Sequence, residues 1–235
     1  MPNIESINID YRPVLKHQLT QAYRLVSNDS MMTRTKIKPQ DLTREKLLSL
    51  AFCEIHRQGF QGASIAHILE STKLTKGALY HHFPTKHALG LAVIDEIIAP
   101  QLETLVFEPL RDSAAPISTL LEIITGVAAF MGDEGIMLGC PLNNLMQEMS
   151  PLDEQFRHHL NTILETWQQS ISTALAHGQA HSIIRPEVDC HAAALFIVSA
   201  WEGCSSIAKN KQSPDSFKMC MKQLHDYVQS MMNKI

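Results

Sequence analysis

Apolar residues in this chain recur every three to four positions and nowhere alternate, so the pattern predicts helices throughout, with no strand, repeat or low-complexity segment. Leu47, Leu48, Ala51, Phe52 and Ile55 form one stripe and predict a helix over about residues 43 to 58. Ile65, Ile68 and Leu69 form a shorter one behind Ser64, a residue suited to a helix start, and Thr75 opens a third over about residues 76 to 82. From Thr85 a helix carries the chain to Ile97 or Ile98, where Pro100 interrupts or bends it. Leu120, Leu121, Ile124, Val127, Ala128 and Met131 follow Pro116 and stop near Gly132. The run GIMLGCPLNNLMQEMS reads as a loop entering a short helix through Pro141.

A long stripe comes next. Phe156, Leu160, Ile163, Leu164, Trp167, Ile171 and Leu175 follow Ser150-Pro151-Leu152-Asp153, which approximates a capping box. Residues 178 to 187 read as a turn-rich connection containing Pro186. Asp189 caps a helix to about Ala208, and Ser213-Pro214 starts the last one, with Phe217, Cys220, Met221, Leu224, Tyr227, Val228 and Met231 inward. Ahead of all these, Val14, Leu15, Leu19, Ala22, Tyr23 and Val26 predict a short amphipathic helix. The fold class is all-α.

Residues 64 to 86, SIAHILESTKLTKGALYHHFPTK, carry the most specific chemistry. Two short helices meeting at a tight turn are the build of a helix-turn-helix, whose second helix enters the DNA major groove N-terminus first. Ser64 and Thr75 start the two helices. Lys76 can donate to guanine O6 or N7, and Gly77 lets the backbone approach the base edges. Tyr80 and His81 can pack on sugar or donate to phosphate, contacts that set register. Lys86, in the first turn of the next helix, aims a cation at the DNA backbone from the far side. The plain alternative is a helical hairpin with solvated charges. Charge distribution favours DNA: residues 31 to 87 hold nine Lys/Arg against four Asp/Glu, whereas residues 88 to 235 hold eight against seventeen. The overall balance of −4 hides a basic lobe.

This segment resembles the DNA-binding domain of the TetR family of transcriptional regulators. The matching pieces are Thr43-Arg44-Glu45 opening the first helix, Gly59-Phe60 closing it, Ser64-Ile65 opening the second, and Thr75-Lys76-Gly77-Ala78-Leu79-Tyr80-His81-His82-Phe83 followed by Lys86. The resemblance implies a three-helix DNA-binding domain over residues 43–88, joined by a connector helix to a larger helical effector-binding and dimerisation domain over residues 89–235. Residues 1–42 are then an N-terminal extension or basic arm. Met31-Met32 reads as an ordinary start for such a regulator, which would make residues 1 to 30 a misassigned start, and Arg34, Lys36 and Lys38 form an arm able to reach phosphates or a minor groove. Lys73 departs from the family, which places Gly in that turn; a left-handed turn strains a residue carrying a Cβ. The resemblance also implies a homodimer through the last two helices and a pseudo-palindromic double-stranded operator. Small residues, among them Ala200, Gly203, Ser205 and Ser206, permit the close helix approach a dimer needs, although an internal antiparallel pair would use them equally.

At 235 residues the chain has room for one large or two modest domains. No apolar run approaches the roughly 20 residues of a membrane span, and no secretory signal is evident. The five cysteines are odd in number and form no CxxC pair, which points to a reducing cytoplasm and no membrane partner. Twelve histidines stand out, but His158-His159 and Cys190-His191 are adjacent pairs that point to different sides of a helix, so neither a metal site nor a cofactor is expected.

The resemblance places an effector pocket in the acidic C-terminal half, where an occupant would move the connector. The sequence offers Phe130, Met131, Met137, Asn143, Met146, Gln147, Trp167 and Trp201 as its lining, although Met and aromatic residues at helical spacing also make plain core. No charged cluster announces an ionic ligand, so the expected effector is a small apolar or amphipathic molecule. Cys140 is a sharper candidate, because it stands just before Pro141 at a helix start, where the helix field stabilises a thiolate. Gly139-Cys140 also resembles the reactive-cysteine region of the family's electrophile-sensing branch, so an electrophilic effector is a second expectation; a small packed residue is the alternative. Cys53 and Cys220 fall on apolar faces and should be inert. Function then reads as a ligand-responsive, sequence-specific DNA-binding regulator, a repressor released from its operator by a small-molecule or electrophile signal. An effector-independent DNA architectural protein is the alternative. A thiol-dependent enzyme is not expected: Cys140 has no identifiable histidine partner, and no phosphate-loop or metalloprotease motif is present, so no residue is assigned as catalytic.

Overall fold

The computed structural model describes residues 39–70, 72 and 74–233, with side chains from residue 43 onward. The expected helix between Val14 and Val26, the arm Arg34, Lys36 and Lys38, and the turn residue Lys73 lie outside the described residues. Among the described residues the fold is nine helices, with one isolated antiparallel bridge between Ile184 and Met232. In chain order they are α1 (Pro39–Gly62), α2 (Ile65–Glu70), α3 (Lys76–His82), the connector α4 (residues 86–112), α5 (Pro116–Leu138), α6 (Pro141–Met149), α7 (Glu154–Ala180), α8 (Cys190–Lys211) and α9 (Pro214–Ser230).

The starts follow from local chemistry. Thr75, Thr85, Asp153, Asp189 and Ser213 each accept a hydrogen bond from a backbone N–H of the first turn they precede, at 2.9–3.2 Å. Each such cap contributes about 1 kcal/mol. Ser64 differs: its carbonyl begins α2 by accepting from Ile68 N–H at 3.0 Å, while its own N–H bonds Glu54 Oε1 at 3.3 Å.

Three elements depart from the sequence expectation. Pro100 does not end the connector. A π turn over Ile94–Ile98 precedes it, and a second over Glu103–Phe107 precedes Pro109, so each proline falls at the second residue of a fresh α turn. A proline has no N–H and crowds the carbonyl four residues back; the widened turn removes that conflict and lets the helix continue. Residues 135 to 138 are helical and belong to α5, which is broken at Gly132 but resumes, leaving only Gly139 and Cys140 between α5 and α6. Finally, α7 runs through Gly178 to Ala180.

One contiguous core joins all the described helices. Trp167, Phe156 and Phe217 are its largest fully buried side chains. Helices α1 to α3 meet the rest where Phe156 of α7 packs on Phe60 at 4.6 Å between ring centres, over the bare backbone of Gly90 on α4. Stretches Pro116–Met149 and Cys190–Lys211 hold 18-residue windows of mean hydropathy 1.4 and 1.2, so by length and composition they could cross a membrane, contrary to expectation. Gly132 interrupts the first and Glu202 charges the second. Only 22% and 44% of those windows is buried within the chain, which leaves apolar surface outside. Cys204 and Cys220 are bonded to each other across α8 and α9, against the reducing surroundings to which the cysteine count pointed.

A Cβ at Gly90 would stand 2.5 Å from Phe60 Cε2 and 2.7 Å from Phe156 Cζ. Gly90→Ala should therefore destabilise the fold by about 1–3 kcal/mol, read as a lower urea midpoint at unchanged slope. An unchanged midpoint would show that the two rings do not depend on that gap.

Candidate nucleic-acid interface and regulatory core

The reading helix is held from behind and bare in front. Leu79 and Phe83 are buried, at 0% and 2% exposure, and pin α3 to α1. Thr75, Lys76, Gly77, Tyr80 and His81 face solvent on the other side. A Cβ on Gly77 would touch nothing of the protein closer than Thr75 Oγ1 at 3.7 Å, so the room glycine leaves is room for an outside surface. Glu54 braces α2, accepting from Ser64 N–H and pairing with His67 Nδ1 at 3.3 Å. Lys86 is half-buried: its ammonium donates to the Gln61 carbonyl at 3.1 Å and lies 5.1 Å over the Phe60 ring. Two of its three donors remain for a phosphate.

In the C-terminal half the candidate residues divide. Trp167 and Trp201 are buried and meet edge to face with ring centres 5.4 Å apart. Asn143 is buried beside α8, its amide donating to Ser206 Oγ at 2.5 Å and to the Glu202 carbonyl at 3.3 Å, and Gln147 donates to Asn143 Oδ1 at 3.5 Å. Met146 and Met131 are partly buried against the core. Phe130 stands on the exposed side of α5, and the Met137 carbonyl accepts from Gln212 at 3.0 Å. A separate cleft of about 740 Å³ opens between the last turn of the connector, α7 and the start of α8, with Arg111, Ser113, Gln168, Thr173, His177 and His191 among its walls. None of the sequence candidates lines it.

Cys140 does sit at the cap position of α6, as expected, but its thiol is not a ready thiolate. Burial pushes its pKa well above the ordinary thiol range, and the neighbouring Glu202 carboxyl pushes the same way. The N–H groups of Asn143 and Leu142 oppose this and do not overcome it. Glu202 is itself buried, at 7% exposure, and burial raises its pKa to about 7. Burial pushes the Cys53 thiol to about 11.

Helix α6 also reaches the DNA-binding helices. Helix α1 breaks at Gly59, whose φ of 76° exposes the N–H groups of Phe60 and Gln61, and Glu148 of α6 accepts from both at 2.7 Å. At the other end of α6, His56 Nε2 lies 2.7 Å from the Gly139 carbonyl. Burial lowers the His56 pKa to about 4, so the ring is neutral and donates that proton. Lys209 of α8 donates to Asn144 Oδ1 at 2.8 Å, and Asn144 donates to the Leu138 carbonyl at 2.9 Å. Two further pairs join the lobes, His87 with Asp153 at 2.9 Å and Arg44 with both oxygens of Glu96, while His159 of α7 pairs with Asp95 of the connector at 2.7 Å.

Sequence reasoning missed Glu148, His56 and Glu202. Glu202 left a signal, being the sole Asp, Glu, Lys or Arg between Cys190 and Ala208. The last two helices expose Leu195, Phe196, Ile207 and Met219 at 52–65%, and a Cβ on Gly203 would meet nothing within 4 Å. Large apolar side chains exposed together on two packed helices are of the kind that another molecule covers.

Comparison with known proteins places these features. Residues 47–93 match the family described as bacterial regulatory proteins, tetR family, and residues 116–224 match the tetracyclin repressor-like C-terminal domain. An uncharacterized HTH-type transcriptional regulator in the lacX 3' region of Lactococcus lactis subsp. lactis is 33% identical over 134 residues, covering 57% of this chain and 68% of that protein. The HTH-type transcriptional repressor DhaR of Mycobacterium sp. strain GP1 is 26% identical over 164 residues, 68% of this chain and 80% of its own. The crystal structure of regulatory protein TetR from Rhodobacter sphaeroides aligns with a TM-score of 0.71 at 28% identity, over 79% of this chain and 98% of that one.

Two measurements follow from the buried groups. As pH falls from 6.5 to 4 the unfolded chain takes up a proton on His56 that the folded chain refuses, so stability present above pH 6.5 is lost through that window, at most about 3 kcal/mol. His56→Gln keeps a donor for Gly139 and should remove that part of the acid sensitivity in urea titrations; an unaltered pH profile would show that His56 is not the cause. Cys140 and Cys190 are both partly exposed, but burial raises the Cys140 thiol further, so iodoacetamide at neutral pH should label Cys190 first. Faster labelling of Cys140 would restore the reactive thiolate.

Proposed function

The chain belongs to the TetR family of bacterial regulatory proteins and is therefore a helix-turn-helix DNA-binding transcription regulator and not an enzyme, and we propose that it represses its target from a pseudo-palindromic operator as a homodimer. The observation that carries this reading is α3: its buried side holds Leu79, and its open side presents Thr75, Lys76, Gly77, Tyr80 and His81 together. One such helix reads too few base pairs for strong discrimination, and two related by a two-fold axis read a palindrome. The dimer forms through α8 and α9, whose exposed Leu195, Phe196, Ile207 and Met219 a second copy would cover. Acting on DNA, the protein works in the cytoplasm.

Release comes from a small effector in the C-terminal half that prefers a dimer with its reading helices at the wrong spacing; equal affinity for the two shapes would shift nothing. The effector region is the Cys140, Asn143, Met146, Gln147, Trp167 and Trp201 neighbourhood, with Phe130 and Met137 toward α5. Because burial and Glu202 keep the Cys140 thiol protonated, a ligand bound without a covalent bond fits better than an electrophile.

Lys76→Ala should weaken operator binding by about 1–3 kcal/mol and relax sequence preference, whereas Lys86→Ala should weaken operator and random duplex alike and flatten the salt dependence. Binding isotherms on both duplexes at two salt concentrations read this. Unchanged operator affinity in Lys76→Ala would remove α3 from the DNA.

A further inference from the structure

Five buried side-chain polar atoms among the described residues lack a hydrogen-bond partner, and two of them are the carboxylate oxygens of Glu202. A third is the indole nitrogen of Trp167, whose ring packs on Trp201, the residue beside Glu202 in α8. A buried carboxylate without a partner costs several kcal/mol, so proteins pair such groups, protonate them or keep them for a ligand. No side-chain cation answers this one. Lys209, two turns along α8, donates to Asn144, and its charge bears on Glu148. His56 is bonded to Gly139. Asp133, Lys218, Lys222 and Asp226 on α5 and α9 pair with one another at the surface, as do Arg157 and Glu154 on α7, and Glu165 of α7 accepts from Asn161. Among the described residues the Cys140 thiol alone bears on the Glu202 carboxyl, as a weak donor facing it.

We propose that Glu202 anchors the effector and that the effector carries a protonated nitrogen, an ammonium or amidinium group. This rests on the ligand-responsive reading above and replaces the expectation of a purely apolar ligand. Two adjacent acceptor oxygens match the donors of such a cation, and a charge-assisted bond in a site shut off from water is stronger than a neutral one. Entry is coupled to release. The carboxylate is closed over by α6, so an occupant must part α6 from α8, breaking the Asn143–Ser206 and Asn144–Lys209 bonds. The same helix carries Glu148, which caps Phe60 and Gln61 of the DNA-binding lobe. The ligand thus binds the shape in which that cap is disturbed.

The test uses the intrinsic fluorescence of the two tryptophans to titrate benzamidine, butylamine and the neutral isostere benzamide into wild type and Glu202→Gln at pH 8 and pH 6, with release of promoter DNA followed in parallel. A proton competes for a carboxyl titrating near 7, so cation affinity should be about tenfold weaker at pH 6 than at pH 8. At least one cation should bind wild type, benzamide should not, and Glu202→Gln should lose at least tenfold in affinity. The proposal is overturned if neither cation binds, if benzamide binds as well as benzamidine, or if Glu202→Gln binds like wild type. Should Glu202→Gln fail to fold, the pH 8 to pH 6 ratio in wild type decides, and a ratio near one overturns the site. A cation that binds with the expected pH dependence yet leaves DNA bound contradicts the release reading alone. A neutral compound that releases DNA equally from wild type and Glu202→Gln contradicts the site alone.

Discussion

The corner between α1 and α2 is capped by one carboxylate that is not part of the DNA-binding helices. Where α1 breaks at Gly59, the N–H groups of Phe60 and Gln61 have no carbonyl behind them, and Glu148, nearly ninety residues later in the chain, accepts from both at 2.7 Å. Hydrogen bonds to a charged acceptor contribute about 1.5–3 kcal/mol each, more than a surface ion pair does. The left-handed backbone at Gly59 is required twice over: its φ suits glycine, and a Cβ there would lie 2.7 Å from a Glu148 oxygen. Hence the corner between α1 and α2, and with it the tilt of α3, is set by a helix of the effector half.

That helix is held at its other end by competing fields. The dipole of α6 and its free N–H groups favour a thiolate at Cys140, but burial beside a second acid disfavours one, and burial prevails. Desolvation of a charge is worth more than a helix end when the group is enclosed. The outcome is a neutral junction of Cys140, Asn143 and Ser206 around an unpaired Glu202, a place with few strong bonds to break. Helix α6 is thus bonded on one side to α1, through Glu148 and the Gly139 carbonyl, and on the other to α8, through Asn143 and Asn144.

What the sequence revealed was local. Thr75, Thr85, Asp189 and Ser213 cap helices through bonds of two or three residues' reach, so their side chains alone predict them. The exposed set on α3 was equally legible, because Leu79 and Phe83 fix which side is buried. Long-range pairing was not. Nothing around Glu148 distinguishes it from a solvated acid, and its partners are backbone groups, which carry no residue identity. Pro100 misled for a related reason: the π turn that accommodates it depends on packing along the connector and not on the proline itself. The sequence located Cys140 at the start of α6, but the burial that raises its thiol, with Glu202 of a distant helix pushing the same way, is long-range and left no local signal.

Hydrogen exchange at two amides tests the central coupling most directly. In wild type, the Phe60 and Gln61 amides should be protected, and in Glu148→Ala they should exchange at least tenfold faster while core amides of α7 such as Ile171 keep their rates. Equal exchange of Phe60 and Gln61 in the two proteins would mean that α6 does not hold the DNA-binding lobe, and the account of its control by the effector half would be wrong.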